Sequence, residues 1–255
     1  MRGLGRANVI PLLIAISVVG LGIVVYFHFA AFAAGGDRST TFFTFFLLFA
    51  GCERLWENFF TTKEREPRIL AGDWSLAAVS AAYIAMMYGA TFEFFLTGRE
   101  IRWAATAVGL LLYAVAFVLR WWGMITLGPQ WGIHILGENK LPDVPRRLVR
   151  TGPYRYMRHP IYLGVFLEVV GIPLVTNAWA TVVFALLVNV PLQLVRTYLE
   201  ERRLLELFGD EYRRFQREHW AFWPLPKRPG PPASPAPPAS PAPRAPDRAA
   251  AEGLA

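Results

Sequence analysis

Long apolar runs alternate with short polar segments along most of the chain. A helix needs roughly 20 apolar residues to cross the hydrocarbon core of a bilayer, and several runs reach that length. Taken in order, the runs predict six spans, at 8–34, 40–60, 74–96, 103–122, 161–176 and 178–195. We therefore predict an all-α fold, a polytopic transmembrane helical bundle with about six spans.

Charged residues occur within several of these predicted spans. Glu53 and Glu57 of the second span are four residues apart, so they share one helical face that we expect to point into the protein or the interface. Trp56 is expected near the lipid head groups. Arg120, followed by two tryptophans, closes the fourth span and suits a membrane interface.

Glu168 lies well inside the fifth predicted span, and two interpretations of it stay open. A carboxylate inside the membrane is energetically unfavourable, which makes it a candidate functional group. Alternatively it lies just below the interface, protonated or paired with Gln193 or Asn189 of the sixth span.

The pattern changes twice after the sixth span. Residues 196–219 mix many charges with regularly spaced apolar positions, which predicts a cytoplasmic carboxyl-terminal helix that leaves the membrane and lies against it. From Pro224 onward the sequence is rich in proline, alanine and serine, a composition typical of disorder. We divide the chain into amino-terminal helices at 1–102, a membrane domain at 103–224 and a disordered tail at 225–255.

Composition agrees with a membrane protein. Hydrophobic residues make up 54% of the 255 positions, and the mean hydropathy is +0.32. The net charge of +7 comes largely from segments that flank apolar runs, so the positive-inside rule explains it better than nucleic-acid binding. The single cysteine, Cys52, excludes an internal disulfide and a cysteine metal cluster, and no metal site is predicted.

The positions of arginine and lysine also predict an orientation. With the amino terminus inside, the outer side receives only Arg38, Arg99 and Arg102, whereas the other polar segments carry most of the cations. Both termini are therefore expected to be cytoplasmic, as in a bacterial inner-membrane protein. The first apolar run is too long for the core of a signal peptide and is expected to remain as a helix.

The most informative polar stretch is TGPYRYMRHPIYLG at 151–164. Pro153 and Pro160 each disfavour helix in the residue before them, so a shaped loop should become a helix near Ile161. The following two spans, joined at Asn177, should form an antiparallel hairpin. Such a hairpin returns residues 196–201 to the same side of the membrane as Arg158.

Two charged clusters would then meet, Arg158 with His159 and Arg196 with Glu200 and Glu201. Cations, carboxylates, an imidazole and tyrosines together suit a zwitterion, such as an amino-acid-like ligand. A cleft between the helices would admit a second, apolar molecule from the lipid. Taken singly, such arginines are as often topology signals and lipid partners, and the glutamates could simply be solvated.

GPYRYMRHPIYLG, followed by EERRLLELFGDEYRRF and Pro224, resembles the isoprenylcysteine carboxyl methyltransferase family of membrane enzymes, over about 119–224. The resemblance implies S-adenosylmethionine as the cofactor. It also implies that arginines matching Arg158 and Arg196 lie near a methyl-accepting carboxylate. The residues that it implies around the cofactor are Leu148, Val149, Gly152, Pro153, Tyr154, Arg158, His159, Pro160, Tyr162, Glu200 and Glu201.

The implied function is methyl transfer to a lipophilic acceptor, with Arg158, Arg196 and Glu201 as candidate catalytic residues. A carboxylate acceptor needs only orientation, whereas a neutral amine or phenol needs a base, for which Glu201 and His159 are the first candidates. The alternatives are a lipid-amine methyltransferase, a nicotinamide-dependent membrane reductase, and a non-catalytic module that binds a lipid or a partner. The acceptor, the oligomeric state and the role of the amino-terminal helices stay open.

Overall fold

The computed structural model describes residues 10–36, 38–62, 74–98, 100–131 and 147–225. Within these ranges the regular structure is helical, apart from one isolated bridge at His219, so the all-α prediction is confirmed. The helices are α1 (Ile10–Ala33), α2 (Arg38–Thr62), α3 (Trp74–Leu96), α4 (Trp103–Leu127), α5 (Pro160–Val175), α6 (Trp179–Phe184) and α7 (Val190–Glu218).

The chain is an integral membrane protein. By length and composition, four of the described helices could cross a membrane: α1, α3, α4, and the continuous helix Trp179–Glu218 that joins α6 to α7. The remaining two predicted spans correspond to α2, which carries three charged residues in its second half, and to α5, which has only 16 residues. The count of six is thus approximate.

The α6–α7 helix is longer than a membrane is thick. The 30 residues from Trp179 to Phe208, before the break at Gly209, extend about 45 Å, roughly one and a half times the hydrocarbon core. A π-helical turn at Ala185–Asn189 interrupts its first half, and Gly209 departs from helical geometry in its second half, with φ of 50°. The charged residues from Arg196 onward therefore extend beyond the hydrocarbon core, in agreement with the predicted helix at 196–219.

Helices α4 and α5 approach each other closely through glycines. A Cβ atom on Gly109 would lie 2.6 Å from the backbone nitrogen of Val175 and 2.7 Å from the carbonyl oxygen of Gly171. A Cβ atom on Gly164 would lie 2.6 Å from Cγ of Arg120. Because backbone cannot yield as a flexible side chain can, the small residues set the distance between these two helices.

The predicted tight turn after α5 is also present. Asn177 has φ of 55°, in the left-handed region that asparagine tolerates. Its side chain accepts a hydrogen bond from the backbone nitrogen of Arg102 at 2.9 Å and donates one to Thr106 Oγ1 at 2.9 Å. The α5–α6 connection is thereby attached to the start of α4.

The intramembrane carboxylate Glu168 is fully buried and is paired with arginines. Arg120 Nη1 lies 2.8 Å from Oε2, Arg54 donates to the same oxygen, and the Tyr83 hydroxyl donates to Oε1 at 2.8 Å. The alternative interpretation, in which Glu168 pairs with Gln193 or Asn189, is therefore wrong. Neither of those neutral groups could compensate a buried carboxylate as two guanidinium groups do.

The prediction that Arg120 lies at the interface is also wrong. Its side chain is 0% exposed, and α4 continues for almost two further turns to Leu127. Arg120 Nη2 is 3.0 Å from Glu53 Oε1 and also pairs with Glu57. The expectation that Glu53 and Glu57 point into the protein is confirmed, because both are buried against this guanidinium.

Several predictions concern residues outside the described ranges. They are the disordered tail from 226 onward and most of the cations used for the orientation, at positions 2, 6, 63, 65 and 68.

Candidate active site

The hairpin formed by α5, α6 and α7 brings together the two charged clusters predicted from the sequence. Arg158 Nε and Nη2 lie 2.8 Å and 2.7 Å from Glu201 Oε1. His159 Nε2 lies 3.1 Å from the same oxygen. The residues just before α5 are thus tied to the middle of α7, and the three side chains form one polar centre.

Two residues from the last turns of α7 complete this centre. Tyr212 donates its hydroxyl to Glu201 Oε1 at 3.3 Å, and Gln216 Nε2 donates to Oε2 at 3.1 Å. The sequence analysis missed both, because their return to Glu201 depends on the non-helical Gly209 between them and the preceding turns. The spacing of a straight helix would not place all three side chains together.

Glu201 is held as a carboxylate. Burial raises the pKa of its carboxyl group, but the hydrogen bond and charge of His159 and the charge of Arg158 outweigh burial and lower that pKa to about 2. A carboxylate with so low a pKa is a weak base. Its geometry suits a residue that orients Arg158 and His159.

A second group of hydrogen-bonded side chains lies beside the polar centre. The Tyr162 hydroxyl donates to Glu200 Oε2 at 2.5 Å. Arg196, one turn before Glu200, is only 4% exposed, interacts with the Tyr162 hydroxyl, and donates from Nη1 to Ser75 Oγ at 2.8 Å. The guanidinium of Arg196 is therefore oriented by residues of α3 and α5.

The chain after α7 folds back over the residues that precede α5. The backbone nitrogens of Arg158 and His159 donate to the carbonyl oxygens of Trp220 and Ala221 at 3.0 Å and 2.9 Å. The Phe222 ring then lies 6.1 Å from the His159 ring, between centroids. We call residues 219–223 the return segment. It covers one side of His159, and sequence analysis did not find it.

The loop before α5 reaches the same region. Gly152 begins a short 3₁₀ turn with φ of 56°, and a Cβ atom there would lie 2.4 Å from Thr126 Oγ1. Pro153 and Tyr154 are buried in this turn, and burial raises the pKa of the Tyr154 phenol. Pro160 is the first residue of α5, which is a position where proline is well accommodated.

Other predicted loop residues take different positions. Leu148 and Val149 are half-buried, and Arg147 is exposed with its backbone nitrogen bonded to Gln130 Oε1 at 2.8 Å. Arg150 packs over the Phe215 ring at 5.2 Å. The loop is thus attached both to the 3₁₀ turn at Gly128–Gln130, just after α4, and to the end of α7.

The donor set fits an amino-acid-like cofactor. Arg158 and His159 carry hydrogen-bond donors for a carboxylate, Glu200 provides an acceptor for an ammonium group, and Tyr154 and Phe222 provide apolar surface for an adenine ring. Within the described residues, no group of three or more histidine, cysteine, aspartate or glutamate side chains could hold a metal ion.

Comparison with known proteins identifies the same part of the chain. Residues 107–206 match the isoprenylcysteine carboxyl methyltransferase (ICMT) family. Over 164 residues the chain is 30% identical to protein-S-isoprenylcysteine O-methyltransferase of Mus musculus, covering 62% of this chain and 56% of that protein.

Two bacterial relatives are also similar. The chain is 37% identical over 89 residues to the uncharacterized protein YpbQ of Bacillus subtilis, covering 35% of this chain and 50% of that protein. It is 31% identical over 108 residues to methanethiol S-methyltransferase 1 of Bradyrhizobium diazoefficiens, covering 42% of this chain and 35% of that protein. The chain thus spans between about a third and just over half of the length of these three relatives.

The matched residues include α5, the first part of α7 and the polar centre that joins them. Residues 107–206 of the chain are thus similar to the isoprenylcysteine carboxyl methyltransferase family.

Proposed function

We propose that this protein is an integral-membrane methyltransferase that uses S-adenosylmethionine and acts on a lipophilic acceptor bearing a carboxylate. Residues 103–224 form its methyltransferase domain, both termini face the cytoplasm, and the membrane is a bacterial inner membrane. The observation that carries the proposal is the polar centre of Arg158, His159 and Glu201, because it lies within the residues that match the family.

The cofactor would be held between the 148–154 loop and the hairpin. Leu148, Val149, Gly152, Pro153 and Tyr154 would enclose it from one side, with His159, Pro160, Tyr162, Glu200 and Glu201 on the other. When bound, S-adenosylmethionine would supply a methyl group, carried on a cationic sulfur. Transfer of this methyl group to a carboxylate oxygen, with cleavage of the carbon–sulfur bond, would give a methyl ester and S-adenosylhomocysteine.

The protein's own residues have three tasks in this proposal. Arg196, buried and oriented from two sides, holds the acceptor carboxylate without removing its nucleophilicity. Glu201 holds the side chains of Arg158 and His159 in position, and the return segment excludes water from His159. No proton has to move, since a carboxylate is already nucleophilic, so the weak basicity of Glu201 is no obstacle.

The acceptor class is supported by the contacts of Arg196. A buried guanidinium binds an anion well and a neutral amine poorly, which favours a carboxylate over a lipid amine. A thiol is the second candidate, because one relative is a methanethiol S-methyltransferase. An S-isoprenyl cysteine and small thiols are therefore the first acceptors to test.

The test is a titration of the detergent-purified protein with S-adenosylhomocysteine, followed by methyl transfer from labelled S-adenosylmethionine to each acceptor. We expect binding that weakens at least tenfold in His159→Ala and in Glu201→Ala. A folded wild-type protein that does not bind S-adenosylhomocysteine would contradict the proposal, and NADPH would then be tested as the ligand of a reductase.

A further inference from the structure

Ser75 lies outside the residues that match the family, yet it contacts the candidate site. It is in the first turn of α3, is 2% exposed, and accepts a hydrogen bond from Arg196 Nη1 at 2.8 Å. Both partners are buried, so water does not compete for this bond. The amino-terminal helices therefore take part in orienting a guanidinium of the site.

The depth of α3 relative to the site is also determined by a polar contact. Tyr83, eight residues after Ser75 and about 12 Å along the helix, donates to Glu168 Oε1 at 2.8 Å. Glu168 belongs to α5, and it is held there by Arg120 and Arg54. Two contacts on one rigid helix thus connect α3 to α5 at Tyr83 and to α7 at Ser75.

We propose that Ser75 is a positioning residue that aims the Arg196 guanidinium at an anionic group of the acceptor. This inference rests on the proposed function and adds to it that α3 helps to select anionic acceptors over neutral ones. An arginine side chain has many rotamers, and a planar guanidinium binds a carboxylate strongly only in a narrow range of orientations. The bond to Ser75 restricts that range.

The test compares two forms of one probe on the full-length protein in detergent. The probe is N-acetyl-S-farnesyl cysteine, either with its free carboxylate or as its methyl ester, and binding is measured by titration. We expect the wild type to prefer the carboxylate, and Ser75→Ala to lose about tenfold of affinity for the carboxylate with little change for the ester. Ser75→Thr retains a hydroxyl and should restore the preference.

Ser80→Ala is the matched control, because Ser80 is on the same helix, about 140° around its axis from Ser75, and undergoes the same chemical change. A titration with S-adenosylhomocysteine is run on every variant. If Ser75→Ala leaves the preference for the carboxylate unchanged, or if the wild type shows no such preference, the inference is wrong.

The failure of the proposed function would be recognised separately. A wild type that binds no S-adenosylhomocysteine contradicts the methyltransferase, whereas a preference for the carboxylate that still depends on Ser75 supports Arg196 as an oriented anion-binding group. Normal cofactor binding and methyl transfer with an unaltered Michaelis constant in Ser75→Ala would leave the function standing and remove Ser75 from it.

Discussion

Arg158 and Glu201 form the ion pair that closes the polar centre, with two nitrogens of one guanidinium within 2.8 Å of a single carboxylate oxygen. The pair joins the residue two positions before α5 to the middle of α7. It is mostly buried, with side-chain exposures of 9% and 20%. Because the same oxygen also contacts His159, loss of this carboxylate should disturb the whole centre.

Glu201→Gln is expected to lower the melting temperature of the purified protein and to weaken S-adenosylhomocysteine binding. The amide is neutral and replaces one accepting oxygen by a donating NH2 group, so it binds the two cations more weakly, and hydrogen bonds to charged groups contribute about 1.5–3 kcal/mol each. Glu206→Gln is the control, because it breaks the exposed Arg203–Glu206 pair, whose loss should change stability by less than about 1 kcal/mol. Equal effects of the two substitutions would contradict the role of Glu201.

The pH dependence of this pair is also predictable. The folded-state pKa of Glu201 is lowered to about 2, so its contribution to stability is complete above the unfolded value of roughly 4.3 and is lost as pH falls toward 2. The difference in melting temperature between wild type and Glu201→Gln should therefore be present at pH 5 and shrink as the pH falls toward 2. A difference that disappears near pH 6 would show that Glu201 is protonated there.

Phe222→Ala is expected to weaken cofactor binding more than it destabilises the protein. The Phe222 ring contacts His159 and packs edge-on against Phe166, with a centroid distance of 5.1 Å. Such aromatic pairs contribute about 0.5–1.5 kcal/mol beyond the area they bury. Trp223→Ala is the control, because its neighbouring ring is exposed. Equal dissociation constants of the two variants for S-adenosylhomocysteine would mean that the return segment does not shape the site.

The sequence predicted that Arg158, His159 and Glu201 lie close together, because hairpin topology depends on local features. The apolar runs, the turn at Asn177 and the prolines at 153 and 160 determine which residues share one side of the membrane. The contact of Arg158 with Glu201 follows from those features. The contact of Ser75 with Arg196 does not, because it depends on how α3 packs against α7, and no local pattern encodes that packing.

The charged residues within the membrane likewise form contacts that local sequence patterns do not predict. Each charged residue near the membrane was interpreted by itself, which assigned Arg120 to the interface and left Glu168 either functional or with a neutral partner. In the folded protein they compensate each other across α4 and α5. An arginine and a glutamate in different spans do suggest a pair, because an unpaired charge in the hydrocarbon is so unfavourable. The identity of the partner still requires the packing.

Gly109→Ala should prevent correct packing of α4 against α5. The added methyl group would lie within 2.7 Å of two backbone atoms of α5, and overpacking of this kind typically costs about 1–3 kcal/mol, or more where backbone must move. Gly22→Ala makes the same change in α1, where nothing lies within 4 Å, and should leave the melting temperature unchanged or slightly higher. A stable, monodisperse Gly109→Ala protein would contradict the close contact.

Glu168→Gln is expected to destabilise the protein while leaving the chemistry of the site intact. Glu168 is fully buried, and breaking such a pair by removing one charge costs about 3–5 kcal/mol, because the remaining guanidinium groups lose their compensation. Glu100→Gln, at an exposed position, is the control and should be neutral. At a temperature where the variant is folded, turnover of the acceptor should be close to that of the wild type, since Glu168 lies about 13 Å along α5 from His159. A large loss of turnover with an unchanged melting temperature would instead make Glu168 part of the reaction.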